Sequence, residues 1–183
     1  MVQSDAGTRP EPAGPAAERR RREILAAAAR QFRARGLHAT GMREIAAELG
    51  MTAGNLYYYF PSKQDLLAWC QQEALGRLLA LAERVAADPG GADARLRDLI
   101  AGHVLILNEE TPGSLAHLEV NEVAEDRREE LLALRRRYES LITGLIEEGI
   151  ASGIFRPIEA RLATLALLGA SNWTVKWFDQ DGR

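Results

Sequence analysis

The chain is expected to be all α-helical. Apolar residues recur at steps of three and four along most of its length, no stretch alternates apolar and polar residues between hairpin turns, and Gly and Pro clusters separate the periodic stretches. The first helix is expected over 19–35, where Ile24, Leu25, Ala28 and Phe32 share a face and Gly36 follows as a left-handed stop. Residues 1–17 hold Ala, Gly and Pro with few large apolar groups and are expected to form a mobile tail. Thr40 is the expected N-cap of a short helix to Leu49, and Gly50 ends it. Thr52 caps the next, which Pro61 closes near Tyr59. Ser62 with Asp65 has S-x-x-D capping spacing and opens a long helix to Ala87, broken by Asp88-Pro89-Gly90-Gly91. Further helices are expected over 94–109, 114–124, 126–152 and 158–178.

Length and composition narrow the class. At 183 residues, with no apolar run near ~18 residues and no secretory leader pattern, the chain reads as one or two soluble domains without a membrane span. Its single cysteine, Cys70, sits at the spacing of a buried helical position and can form neither an intrachain disulfide nor a zinc site, so a reduced, cytoplasmic setting is expected. Three histidines at 38, 103 and 117, one cysteine and no Gly-rich phosphate loop leave no constellation for catalysis, metal or cofactor, so no enzyme is expected.

Charge is unevenly placed. The net charge is −3, yet residues 19–63 carry nine Lys and Arg against three Asp and Glu, while both flanks are net acidic. One end of the molecule should therefore attract polyanions, although a basic solvated helix face gives the same count. Within that end, two short amphipathic helices meet at a turn in which Gly50 can take positive φ. At the tip of the second, Ala53 and Gly54 lack bulk, so the helix start can approach base edges. Asn55 can pair with adenine, and Tyr57 and Tyr59 can meet sugars or phosphates. Arg43 can reach a guanine or instead pair with Glu44, and Tyr58 can touch DNA or fill a core. Lys63, beside the free N–H groups of a helix start, suits a phosphate. The run from Arg19 to Arg22 reads as a phosphate or minor-groove contact, or as an exposed first turn.

The residues from Arg19 to Leu79 carry a family likeness: R-x-E-I-L-x-A-A before Phe32, R-G before Thr40, M-R-E-I-A-A-E-L-G, and L-Y-Y-Y-F-P-S-K followed by Asp65-Leu66-Leu67. This pattern resembles the DNA-binding domain of TetR-family (tetracycline-repressor-like) transcriptional regulators. The resemblance implies a helix-turn-helix domain over 18–63 and a ligand-binding and dimerisation domain over 64–183. It also implies a homodimer on double-stranded operator DNA, released by a small-molecule effector. By the same resemblance Thr40, Arg43, Thr52, Ala53, Gly54, Asn55, Tyr57, Tyr58, Tyr59 and Lys63 match the family's operator contacts.

Further along, E-E-G-I-A-S-G-I-F-R-P and L-A-L-L-G-A-S-N-W-T-V-K-W-F are similar to the subgroup that controls breakdown of fatty acids, sterols or aromatic acids and responds to acyl-CoA thioesters. Effector candidates are His103, His117, Tyr138, Asn172, Trp173, Lys176 and Trp177. The histidines equally suit satisfied core positions, and the tryptophan pair equally suits a dimer interface. Arg135-Arg136-Arg137 reads as a solvated face, or as a partner for a coenzyme A phosphate if it borders the cavity. Gly169-Ala170-Ser171 lets another helix approach closely, which marks the last helix for the two-fold contact. The chain departs from the family pattern in stopping at Gly182-Arg183, before the final helix of the usual four-helix interface. An efflux-gene repressor sensing hydrophobic drugs, or a helical ligand-binding module without DNA binding, are the other readings.

Overall fold

A computed structural model describes residues 14–110 and 123–178, and every regular element among them is helical. Helix α1 spans Pro15–Arg35, four residues longer at its start than the apolar periodicity indicated. Pro15 occupies the first helical turn, where a missing N–H is harmless, and Glu18 favours the positive end of the helix dipole. The arginines from 19 to 22 thus fall beyond the first turn, where the dipole opposes them less. Gly36, at φ 85°, ends the helix with its N–H on the Phe32 carbonyl at 2.9 Å.

Helices α2, Met42–Glu48, and α3, Ala53–Tyr59, form the two short arms. Gly41, not Thr40, caps α2, and the Glu44 carboxylate reaches back to accept from the Gly41 N–H at 3.0 Å. At α3 the expected cap holds: the Thr52 hydroxyl accepts from the Asn55 N–H at 3.2 Å. Between them Gly50 takes φ 63°, and the Met51 N–H returns to the Ala46 carbonyl at 2.9 Å, closing the turn.

Helix α4, Lys63–Ala86, begins where Ser62 accepts from the Asp65 N–H at 3.1 Å. Helix α5 spans Ala92–Leu105 and then widens into a π turn over Ile106–Glu110, so the expected single helix over 94–109 changes its hydrogen-bond period before its end. The short helix expected over 114–124 lies almost wholly outside the described residues. Helix α6 spans Glu125–Ala151 and α7 spans Ala160–Trp173, after which Thr174–Lys176 tightens to a 3₁₀ turn. In the α6–α7 turn the Phe155 ring lies over Gly149, where a methyl group would collide with it.

Two apolar clusters organise these helices. The head cluster joins Ile24, Leu25 and Phe32 of α1 to Met42 and Ile45 of α2, Leu56 of α3 and Phe60, with Leu66, Leu67 and Cys70 from the start of α4. Val123 and Leu131 also belong to it. The body cluster takes over further along α4, at Leu78, Leu81 and Ala82, and packs these on Leu99, Leu107, Tyr138, Ile142 and Ile146. Helix α4 therefore serves both cores, and Leu134 of α6 packs against each. Among the described residues no helix is long and apolar enough to cross a membrane.

Candidate functional site

The seven-residue α3 is too short to hold its shape alone, and it is seated by one fully buried side chain, Leu56. With Leu56 pointing inward, Thr52, Gly54, Asn55 and Tyr57 face outward, while Ala53 and Tyr59 are half-buried. Tyr58 is 42% exposed and Tyr57 46%, so Tyr58 is no core residue. Its ring meets Tyr59 edge-on at 5.3 Å, leaving its hydroxyl end on the surface. Arg43 is exposed and forms no hydrogen bond or ion pair among the described residues, its neighbour Glu44 being occupied in capping α2. Asn55, Tyr57, Arg43 and the α3 start are thus all open to solvent.

Thr40 requires a correction. It is 1% exposed, and its hydroxyl donates toward the Gly36 carbonyl at 2.9 Å and the Gln31 carbonyl at 3.2 Å. Its side chain satisfies the end of α1 and presents nothing to a groove; Gly41 took the cap because Thr40 is turned inward. Lys63 stands at the first position of α4, against the helix dipole, and its ammonium donates to the Leu37 carbonyl at 2.5 Å. An ammonium has three protons, so this tie to the α1–α2 turn leaves donors for an anion.

A brace behind α2 was not visible in the sequence. The Glu48 carboxylate accepts from Gln31 at 2.7 Å and from Arg30 at 2.5 Å, fastening the end of α2 to α1. The Gln31 amide, and after it the Arg30 guanidinium, hold the Glu48 carboxyl below its usual range. The partners lie 17 and 18 residues away, so no local pattern announces them.

In the body, three of the seven effector candidates meet. His103 is fully buried, its Nδ1 3.0 Å from the Tyr138 hydroxyl and its Nε2 3.1 Å from the Asn172 amide oxygen. An amide oxygen can only accept, so Nε2 carries the proton and Nδ1 accepts from Tyr138. Burial lowers the imidazole pKa to about 4, and burial likewise pushes the Tyr138 phenol up. Nearby, the Asn108 amide donates to the Thr174 hydroxyl at 2.8 Å, joining the π turn to the 3₁₀ turn.

Trp173 and Trp177 are 60% and 63% exposed, and Lys176 is exposed beside them. Because the helix tightens to a 3₁₀ turn at Thr174, Trp173 and Trp177 do not share an α-helical face. His117 lies outside the described residues. Of the three adjacent arginines, Arg136 and Arg137 face outward, Arg137 pairing with Glu83. Arg135 turns toward α4, donates to the buried Gln71 amide oxygen at 3.1 Å, and has its pKa lowered by burial. No three described His, Cys, Asp or Glu side chains converge as a metal site.

A head of short helices around Gly50 on a helical body is the architecture of helix-turn-helix DNA-binding regulators, and the comparisons with known proteins agree. The family profile described as "Bacterial regulatory proteins, tetR family" matches residues 24–70, and "Tetracyclin repressor-like, C-terminal domain" matches residues 89–183. The chain is 31% identical to the HTH-type transcriptional repressor KstR2 of Rhodococcus jostii, over 89% of this chain and 81% of that one. It is 26% identical to the fatty acid metabolism regulator protein of Bacillus subtilis, over 84% of this chain and 80% of that one. The structure of AibR in complex with isovaleryl coenzyme A and operator DNA superimposes with a TM-score of 0.77 at 26% identity, covering 90% of each chain. This chain is a member of the TetR family of transcriptional regulators.

Proposed function

We propose that the protein is a homodimeric repressor of catabolic genes for fatty acids, sterols or aromatic acids, released from its operator by an acyl-CoA thioester. The observation that carries the DNA-reading half is the open tip of α3. Gly54 and Asn55 stand uncovered at a helix start, followed by the exposed Tyr57 and Tyr58, and Arg43 is exposed without a partner among the described residues. In a two-fold dimer such helices enter successive major grooves about 34–36 Å apart. Residues 18–63 are the reading unit in this account, and 64–183 the sensing and pairing unit. The exposed Leu162 and Leu165 of α7, beside Gly169 and Ala170, form the apolar strip suited to a second copy.

The relatives support the effector class. One is named for fatty acid metabolism, and AibR was crystallised with isovaleryl coenzyme A and DNA. Titrating thioesters of increasing acyl length into the protein–operator complex, with fluorescence anisotropy as the readout, is expected to release the DNA. No release by any thioester would remove this effector class.

Two substitutions divide the roles on the head. Lys63→Ala is expected to weaken all duplexes about equally and to lower the salt slope of binding by about one, as loss of one phosphate contact does. Asn55→Ala is expected to cost about 1–3 kcal/mol against the preferred operator and little against random duplex. Unchanged salt dependence in Lys63→Ala would reduce that lysine to its tie with Leu37.

A further inference from the structure

Two side chains of the head cluster come from far along the chain. Val123, two residues before α6, and Leu131, in its second turn, are each 1% exposed and belong to the head cluster with Ile24, Leu25, Phe32 and Leu66 rather than to the body cluster. Side-chain bonds fasten that end of α6 to α4 on either side. The Gln72 amide donates to Glu130 at 3.1 Å and the Arg135 guanidinium donates to the buried Gln71 amide oxygen at 3.1 Å; within the start of α6 itself, Arg128 donates to the Val123 carbonyl at 3.2 Å. The head therefore rests on two struts. It cannot tilt about the start of α4 without drawing Leu131 out of its seat, because packed interiors move between discrete arrangements rather than deforming smoothly.

We infer that Leu131, assisted by Val123, is a positioning residue for operator recognition. It fixes the angle of the head on the body and, through the dimer, the separation of the two α3 helices. This rests on the dimeric DNA-binding reading above. Neither residue approaches the recognition tip; they act through the core behind α1 and α3. Truncating Leu131 leaves a void where α6 enters the head cluster, and the head then samples several tilts. Contacts within one half-site survive this, but the matching of two half-sites does not.

The test uses the full chain as wild type, Leu131→Ala, Val123→Ala and the conservative Leu131→Met. The probe is a palindromic duplex selected from random sequence by the wild type, together with versions having one or two base pairs added or removed between half-sites. Wild type and Leu131→Met are expected to prefer the selected spacing. In Leu131→Ala that preference falls by about fivefold or more, since a loosened head meets shifted half-sites nearly as well. Val123→Ala, the milder change, falls between. A loss of affinity equal for all spacings is what a mere drop in folded fraction produces, and it overturns the inference.

Amide hydrogen exchange without DNA gives a second, independent reading. Leu131→Ala is expected to speed exchange in α1 and α3 while α5 and α7 keep their protection. Faster exchange in α5 and α7 with an unchanged head overturns the inference even if the dimer reading stands. Should the wild type accept every spacing equally, the dimer reading falls, and the positioning role on DNA falls with it; the exchange data then report only whether Leu131 seats the head.

Discussion

Lowering the pH from 6.5 to about 4 is expected to remove about 3 kcal/mol of folding stability through His103 alone. The sign follows from proton counts. In the unfolded chain the imidazole binds its proton near pH 6.5, whereas in the folded protein it resists protonation until about pH 4. Between those values the unfolded state holds more protons, so stability is complete above pH 6.5 and declines as the pH falls. The cause is burial among α5, α6 and α7, where Tyr138 donates to Nδ1 and Asn172 accepts from Nε2. Urea unfolding at pH 7.0, 5.5 and 4.5 checks this when wild type is compared with His103→Leu. That variant strands the Tyr138 hydroxyl and the Asn172 oxygen, so it starts about 1–3 kcal/mol lower at neutral pH. It then loses less on acidification. Parallel pH curves for the two proteins would assign the acid sensitivity to other groups.

Leu56→Ala is expected to destabilise the head by about 2–5 kcal/mol and to weaken operator binding roughly a hundredfold or more. Leu56 is the buried residue of α3, a helix of two turns that does not persist in water without its anchor. Removing the anchor frees α3 from its seat while its exposed residues Gly54, Asn55 and Tyr57 remain unchanged. The discriminating comparison is with Phe60→Leu, which alters the same core just past α3 and keeps its apolar character. Binding and thermal stability should fall together in Leu56→Ala, whereas Phe60→Leu, which loses the edge contact with Trp69 but keeps most of the apolar volume, should cost clearly less of both. Full operator affinity in folded Leu56→Ala would show that DNA itself can seat the helix.

What the sequence disclosed was set by distance along the chain. The Thr52 and Ser62 caps, the Gly36 and Gly50 turns and the all-helical class are encoded within a few residues, and all five are found among the described residues. The open tip of α3 was legible for the same reason, since Ala53-Gly54-Asn55 follows directly on a cap. Thr40 misled because a threonine before a helix satisfies the capping rule, yet the ends of α1 made a stronger claim on its hydroxyl. The start of α1 was missed because Pro15 and two alanines offer no apolar period. The π turn after α5 and the tightening after Trp173 break the helical period without a Gly or Pro to mark it. Tertiary partners were the least visible. His103 and Asn172 lie 69 residues apart, and the membership of Leu131 in the head core leaves no local signature.

The one thiol of the chain offers a practical use. Cys70 is buried in the head cluster on α4, and burial pushes its pKa to about 12, so in the closed molecule it is neither accessible nor ionised. Alkylating reagents can reach it only when the head cluster around α4 opens. Its modification rate is therefore a built-in clock for opening of that cluster, readable by mass spectrometry without adding a label, and any ligand that tightens or loosens the head should slow or quicken it.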